Sequence, residues 1–128
     1  MNAKTFILLF AAGGLGALSR FGLSSLVNYL TNYQFPLGTL VVNALGCFLF
    51  GFFWSLAEHY GIGSQTRLII LTGFLGAFTT FSSMIFESTA LTGYRLLPAA
   101  LNIAAHLAAG FLSFYGGIKF SRLFFSSI

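Results

Sequence analysis

The sequence predicts an all-α membrane protein of four transmembrane helices, and three observations lead there. Of its 128 residues, 57% are hydrophobic and 6% charged, with a mean hydropathy of +0.90. Soluble domains carry about 25% charged residues, so a water-facing surface cannot be built from this chain. Four apolar segments have the ~20 residues that a helix needs to cross the hydrocarbon core. They run from Thr5 to Leu26, Leu37 to Ala57, Arg67 to Leu91 and Leu96 to Phe120. The stretches between them are short and rich in turn formers, which makes residues 1–128 a single four-helix domain.

The first segment begins as a signal peptide would, with Lys4 ahead of an apolar run and small residues behind it. Its removal would discard a glycine-rich, arginine-bearing stretch, so it is read as the first span. Ala12 with Gly16 and Gly13 with Ala17 have the spacing at which helix backbones approach closely in lipid. Arg20 cannot deprotonate, and inside a membrane it would attract an anion or pair with Glu87.

In the second segment Thr39 and Asn43 are four residues apart and share a helical face. Cys47 is the lone cysteine, forms no internal disulfide, and reads as a small buried hydrophobe.

The third segment contains "TGFLGAFTTFSSMIFES", Thr72 to Ser88. Two glycines, a Thr-Thr pair, a Ser-Ser pair and a glutamate are each a liability in lipid. Gly73 and Gly76 weaken a helix, and Thr79, Thr80, Ser82 and Ser83 compete for its backbone groups. Two readings are open on pattern alone: a break near Phe74 to Thr80, or a continuous helix with a glycine packing face. A break at membrane depth must be buried in protein or line a cavity, where freed carbonyls bind a cation. Phe78 and Phe81 flank this region, and a ring edge carries positive quadrupole that suits a small anion. Thr80, Ser83 and Glu87 share a face.

The fourth segment pairs Ala104 with Ala108, Ala105 with Ala109 and Ser113 with Gly117. Asn102, His106 and Ser113 form its polar stripe. Three helices thus offer polar stripes, which together point to a permeation path more than helix-helix hydrogen bonds alone would. For Asn102 and His106 the choice between touching an ion and tying helices stays open.

Tyr29, Tyr33, Trp54, Tyr60 and Tyr94 fall near segment ends, as interfacial aromatics do. Lys4, Arg67, Lys119 and Arg122 on one side outweigh Arg95, with or without Arg20, on the other, which favours cytoplasmic termini. The basic residues are scattered singly, so no nucleic-acid groove is expected. No Cys/His ligand spacing, Gly-x-Ser-x-Gly elbow or phosphate loop occurs, and an enzyme is not expected.

These residues resemble the Fluc (CrcB-type) fluoride channels nearly end to end. The resemblance rests on "GGLGALSRFG" (Gly13 to Gly22), "GTLVVNALGCFLFG" (Gly38 to Gly51) and "TGFLGAFTTFSS" (Thr72 to Ser83) followed by Glu87. It implies a multi-pass protein of the cell's inner (plasma) membrane that passively exports fluoride. It implies an antiparallel, dual-topology homodimer with two pores at its interface and the third helix broken mid-membrane. By motif match, carbonyls of Gly76 and Thr79 would hold a structural sodium ion (Na+) at the dimer centre. Phe81 matches a ring that meets fluoride edge-on, and Asn43, Ser82 and Ser83 match polar pore residues, with Thr39 and Phe78 beside them. Arg20 and Glu87 match vestibule residues.

Three departures stand out. Met84 replaces the second phenylalanine of the family's Phe-Ser-Thr-Phe box and has no aromatic edge. Gly76-Ala77 replaces Gly-Gly, which matters if residue 77 needs positive φ. The loop-charge bias exceeds what dual insertion suggests. The runner-up, a small multidrug-type dimeric exporter, needs a carboxylate in its first span, where this chain has Arg20. A structural membrane subunit would leave the aligned polar faces unexplained.

Overall fold

The computed structural model describes residues 2–31, 37–90 and 93–125. Among them every regular element is a helix: α1 (Ala3–Thr31), α2 (Leu37–His59), α3 (64–78), α4 (Phe81–Ala90) and α5 (Leu96–Phe125). Four stretches are long and apolar enough to cross a membrane: Ala3–Thr31, Leu37–His59, Ser64–Ala90 and Leu96–Leu123. The helices outlast the apolar segments. α1 runs on from Leu26 to Thr31 because no glycine or proline interrupts Val27 to Thr31. Tyr33 and the expected end of the third segment at Leu91 lie outside the described residues.

α2 ends at a turn that its sequence encodes. Gly61 takes a φ of +60°, which glycine adopts without strain. The Gly61 N–H then donates to Glu58 O, and the Ile62 N–H to Ala57 O, closing a Schellman cap. Arg67 binds the same turn from the far side, donating from Nε to Ile62 O (2.7 Å) and from Nη2 to Ala57 O (2.9 Å). It also pairs with the Glu58 carboxylate and lies over the Trp54 ring. Two of the eight charged residues are thereby committed to one loop.

Close packing rests on glycines. A Cβ on Gly51 would collide with the Phe114 carbonyl, and one on Gly117 with the Phe48 carbonyl. α2 and α5 therefore meet backbone to backbone and form the most extensive helix pair. Gly16 similarly seats α1 against the Phe74 carbonyl of α3. By contrast, Ala104, Ala105 and Ala108 on α5 are exposed within the subunit. Exposed rings such as Phe6, Phe10 and Phe21 coat α1, as a lipid-facing helix allows.

The third span changes neighbours along its length. Its first part includes a π-helical stretch, Leu68–Leu75, in which the Gly76 N–H bonds back five residues to Leu71 O. This part packs against α1, whereas α4 packs against α5. Between them Thr79 leaves helical geometry (φ −79°, ψ 156°), and helix resumes at Phe81.

Candidate functional site

Leaving a helix inside an apolar bundle frees backbone groups, each costly without a partner. Asn43 on α2 meets that need at Thr80. Its Oδ1 accepts from the Thr80 N–H (2.8 Å), and its Nδ2 donates to the Thr80 carbonyl (3.0 Å). Thr80 in turn caps α4, its Oγ1 accepting from the Ser83 N–H at 3.2 Å and donating to Ser83 Oγ at 3.1 Å. Ser82, exposed on the same first turn, has its hydroxyl 3.4 Å from Thr80 Oγ1. The Thr79 N–H and hydroxyl both return to Leu75 O, at 3.1 and 3.2 Å. Gly46 on α2 makes room, since a side chain there would strike Thr79 Cγ2 and the Phe78 ring.

Three carbonyls lose their usual helical donors. The Thr80 N–H that would serve Gly76 O goes to Asn43, and the Ser83 N–H that would serve Thr79 O goes to Thr80 Oγ1. Ala77 O instead accepts from Arg20 Nε at 3.2 Å. Arg20 is thus placed by a backbone acceptor and forms no ion pair with Glu87 among the described residues. Residue 77 does not need glycine: positive φ occurs only at Gly61, Gly93 and Tyr94 among the described residues.

Two depressions flank α4. Toward α1 lies a polar groove of about 300 Å³, walled by Arg20, Ser24, Thr39, Ser83 and Glu87, with Thr80 at its base. Thr39 Oγ1 donates to Glu87 Oε1 at 2.8 Å, while Glu87 Oε2 is buried without a partner among the described residues. The groove combines a fixed cation, several hydroxyls and one carboxylate, a set able to replace the hydration of a passing ion. Ser24 and Ser25, which the sequence analysis did not single out, line it too. Ser24 is four residues after Arg20, so the helical repeat from that charge would have found it.

Toward α5 lies an apolar depression of about 420 Å³ walled chiefly by rings and aliphatic carbons. Phe81 stands at it 69% exposed, whereas Met84 behind it is only 4% exposed. Phe78 points elsewhere: it is buried and stacked near-parallel on Phe74 at 6.1 Å. Thr80 and Asn43 reach this depression as well, so Thr80 borders both.

Of the stripe on α5, His106 reaches this apolar side. Asn102 Nδ2 donates to Ser88 Oγ at 2.7 Å, and Ser88 Oγ donates to Met84 O at 2.6 Å, tying α5 to α4. His106 is buried and lines the depression, with Nδ1 on the Asn102 carbonyl of its own helix. Neither Asn102 nor Ser113 reaches its wall. The sequence-derived residues therefore gather around α4 on two sides: Arg20, Thr39, Ser83 and Glu87 on one, Phe81, Met84 and His106 on the other, with Asn43 between.

Comparison with known proteins agrees over nearly the whole chain. The family described as CrcB-like protein, Camphor Resistance (CrcB), matches residues 7–118. Relatives carrying the name fluoride-specific ion channel FluC include proteins of Solidesulfovibrio magneticus, 45% identical over 88% of this chain and 91% of its own length, and of Nitratidesulfovibrio vulgaris, 44% identical over 94% and 98%. A third, from Nitrosococcus oceani, is 46% identical over 88% of this chain and 91% of its own.

Proposed function

Since this chain belongs to the CrcB-like family, we propose that it is a fluoride-selective passive channel of the plasma membrane. It is a multi-pass membrane protein and not an enzyme. The observation that carries the reading is that relatives named for fluoride-specific conduction match over 91% and 98% of their own lengths, so all four spans are shared. The groove beside α4 supports it, because Arg20 and the serine hydroxyls offer an anion charge and donors.

The finer reading is a third helix broken mid-membrane, two chains inserted antiparallel, and a pore on each side of the dimer. The extended Thr79 and the Asn43 clamp on Thr80 support the break. Exposure of Phe81, Ala104 and Ala108 supports a partner covering that side. In this arrangement Phe81 presents its ring edge to fluoride, Asn43, Ser82, Ser83 and Thr39 supply polar contacts, and Arg20 and Glu87 stand at the vestibule. Phe78, buried on Phe74, supports the break from behind.

A structural sodium ion fits the carbonyls of Gly76 and Thr79, since both are hard oxygens released from helical bonding. The ion would supply fixed positive charge between the two breaks. Its replacement by a larger organic cation during purification is expected to dissociate the dimer, read by cross-linking; an unchanged monomer-dimer equilibrium counts against the site.

Hydrogen fluoride crosses membranes as a neutral acid and dissociates in a near-neutral cytoplasm. A passive pore then lets the negative-inside potential expel the anion, with no coupling ion. The test is efflux of fluoride and chloride from proteoliposomes after addition of a potassium ionophore, followed with ion-selective electrodes. Rapid fluoride release without chloride release is expected. Retention of fluoride by a folded dimer would refute the proposal.

A further inference from the structure

His106 is a buried titratable side chain that the pathway above leaves without a role. It is 5% exposed and forms part of the apolar wall that also holds Phe81 and Met84. Its Nδ1 lies 3.0 Å from the Asn102 carbonyl oxygen one turn earlier. A carbonyl oxygen only accepts, so Nδ1 carries the ring proton, and in the neutral imidazole Nε2 is left with a bare lone pair. That nitrogen is buried and has no partner among the described residues.

The two protonation states therefore differ by a full charge at this wall. Protonated, the ring is positive, and low dielectric strengthens its pull on an anion. No other group in that wall competes. From α2 the only titratable side chain is the Cys47 thiol, and from α3 there is none. From α4 the sole candidate, Glu87, is held in the opposite groove by Thr39. On the chain of α5 itself, Arg95, Lys119 and Arg122 are exposed and lie about three turns or more away.

We propose that His106 makes anion passage beside Phe81 proton-dependent: the neutral imidazole offers an anion in the depression no charge, and the imidazolium attracts one. The inference rests on the channel reading. It gives the channel a response to acid load, the condition under which hydrogen fluoride enters fastest.

Fluoride efflux is to be measured at low fluoride from about pH 8 to about pH 6, with the hydrogen fluoride leak of empty vesicles subtracted. Flux is expected to rise about fivefold with acidification, the order of effect of one nearby charge. The rise is expected to persist in His59→Gln, since His59 is exposed and stacked on Phe125, and to vanish in His106→Gln. A flat wild-type profile, or the same rise in His106→Gln, overturns the proposal. Imidazole nitrogen NMR of the wild-type dimer at about pH 6 is a second readout, with the His106 signals expected to change on adding fluoride. Unchanged signals also overturn it. If no fluoride flows at any pH, the channel reading fails, and the NMR still decides the histidine.

Discussion

The two sides of α4 are built from different chemistry on a single helix. Toward α1 the wall is a charge, hydroxyls and a carboxylate; toward α5 it is rings, a thioether and a histidine. The polar side spends much of its capacity internally, with Thr39 on Glu87, Thr80 on Ser83 and Arg20 on a carbonyl. The apolar side keeps the Phe81 and Phe111 rings uncovered. A polar stripe in a span therefore marks where side chains hold freed backbone groups of a neighbouring helix. Asn43 joins the two sides by clamping Thr80.

Breaking that joint has the largest expected effect. Asn43→Asp removes the donor to Thr80 O and sets a carboxylate against that carbonyl, costing about 2–3 kcal/mol and about 100-fold in flux. Thermal unfolding and efflux check this, and near-native flux would mean that the sides work independently. Phe81→Ile is expected to separate flux from folding. With the ring mostly exposed, stability should change by less than ~1 kcal/mol, while flux falls about tenfold through loss of the ring edge. Equal losses of stability and flux would recast Phe81 as packing. Met84→Phe is the mildest change. It restores the family's box residue at a buried position, so overpacking of ~1 kcal/mol is expected, with flux retained. A folded but silent variant would mean that the apolar side is fitted to methionine.

Much of this was legible because the bilayer imposes a length. The four spans were readable as apolar runs, but helix ends were not, because α1 continues past Leu26 where hydropathy no longer decides, and α2 stops where Gly61 permits a cap. The i, i+4 rule found the face shared by Thr39 and Asn43, and both side chains do reach the third span. It could not tell that Asn102 and His106 turn to the opposite side of α4 from Glu87. Helix rotation is set by where Gly51 and Gly117 let backbones touch, and spacing within one helix names no partner. Arg20 illustrates the same limit. Opposite charges suggested a pair with Glu87, but a carbonyl released at the end of α3 is the acceptor it takes.

The most direct measurement is the reversal potential of the reconstituted protein in a planar bilayer, with a tenfold fluoride gradient and equal chloride on both sides. A selective passive fluoride pore is expected to reverse near the fluoride equilibrium potential, about 59 mV for a single charge. Current that reverses near zero, carried by chloride or by both anions alike, would contradict fluoride selectivity.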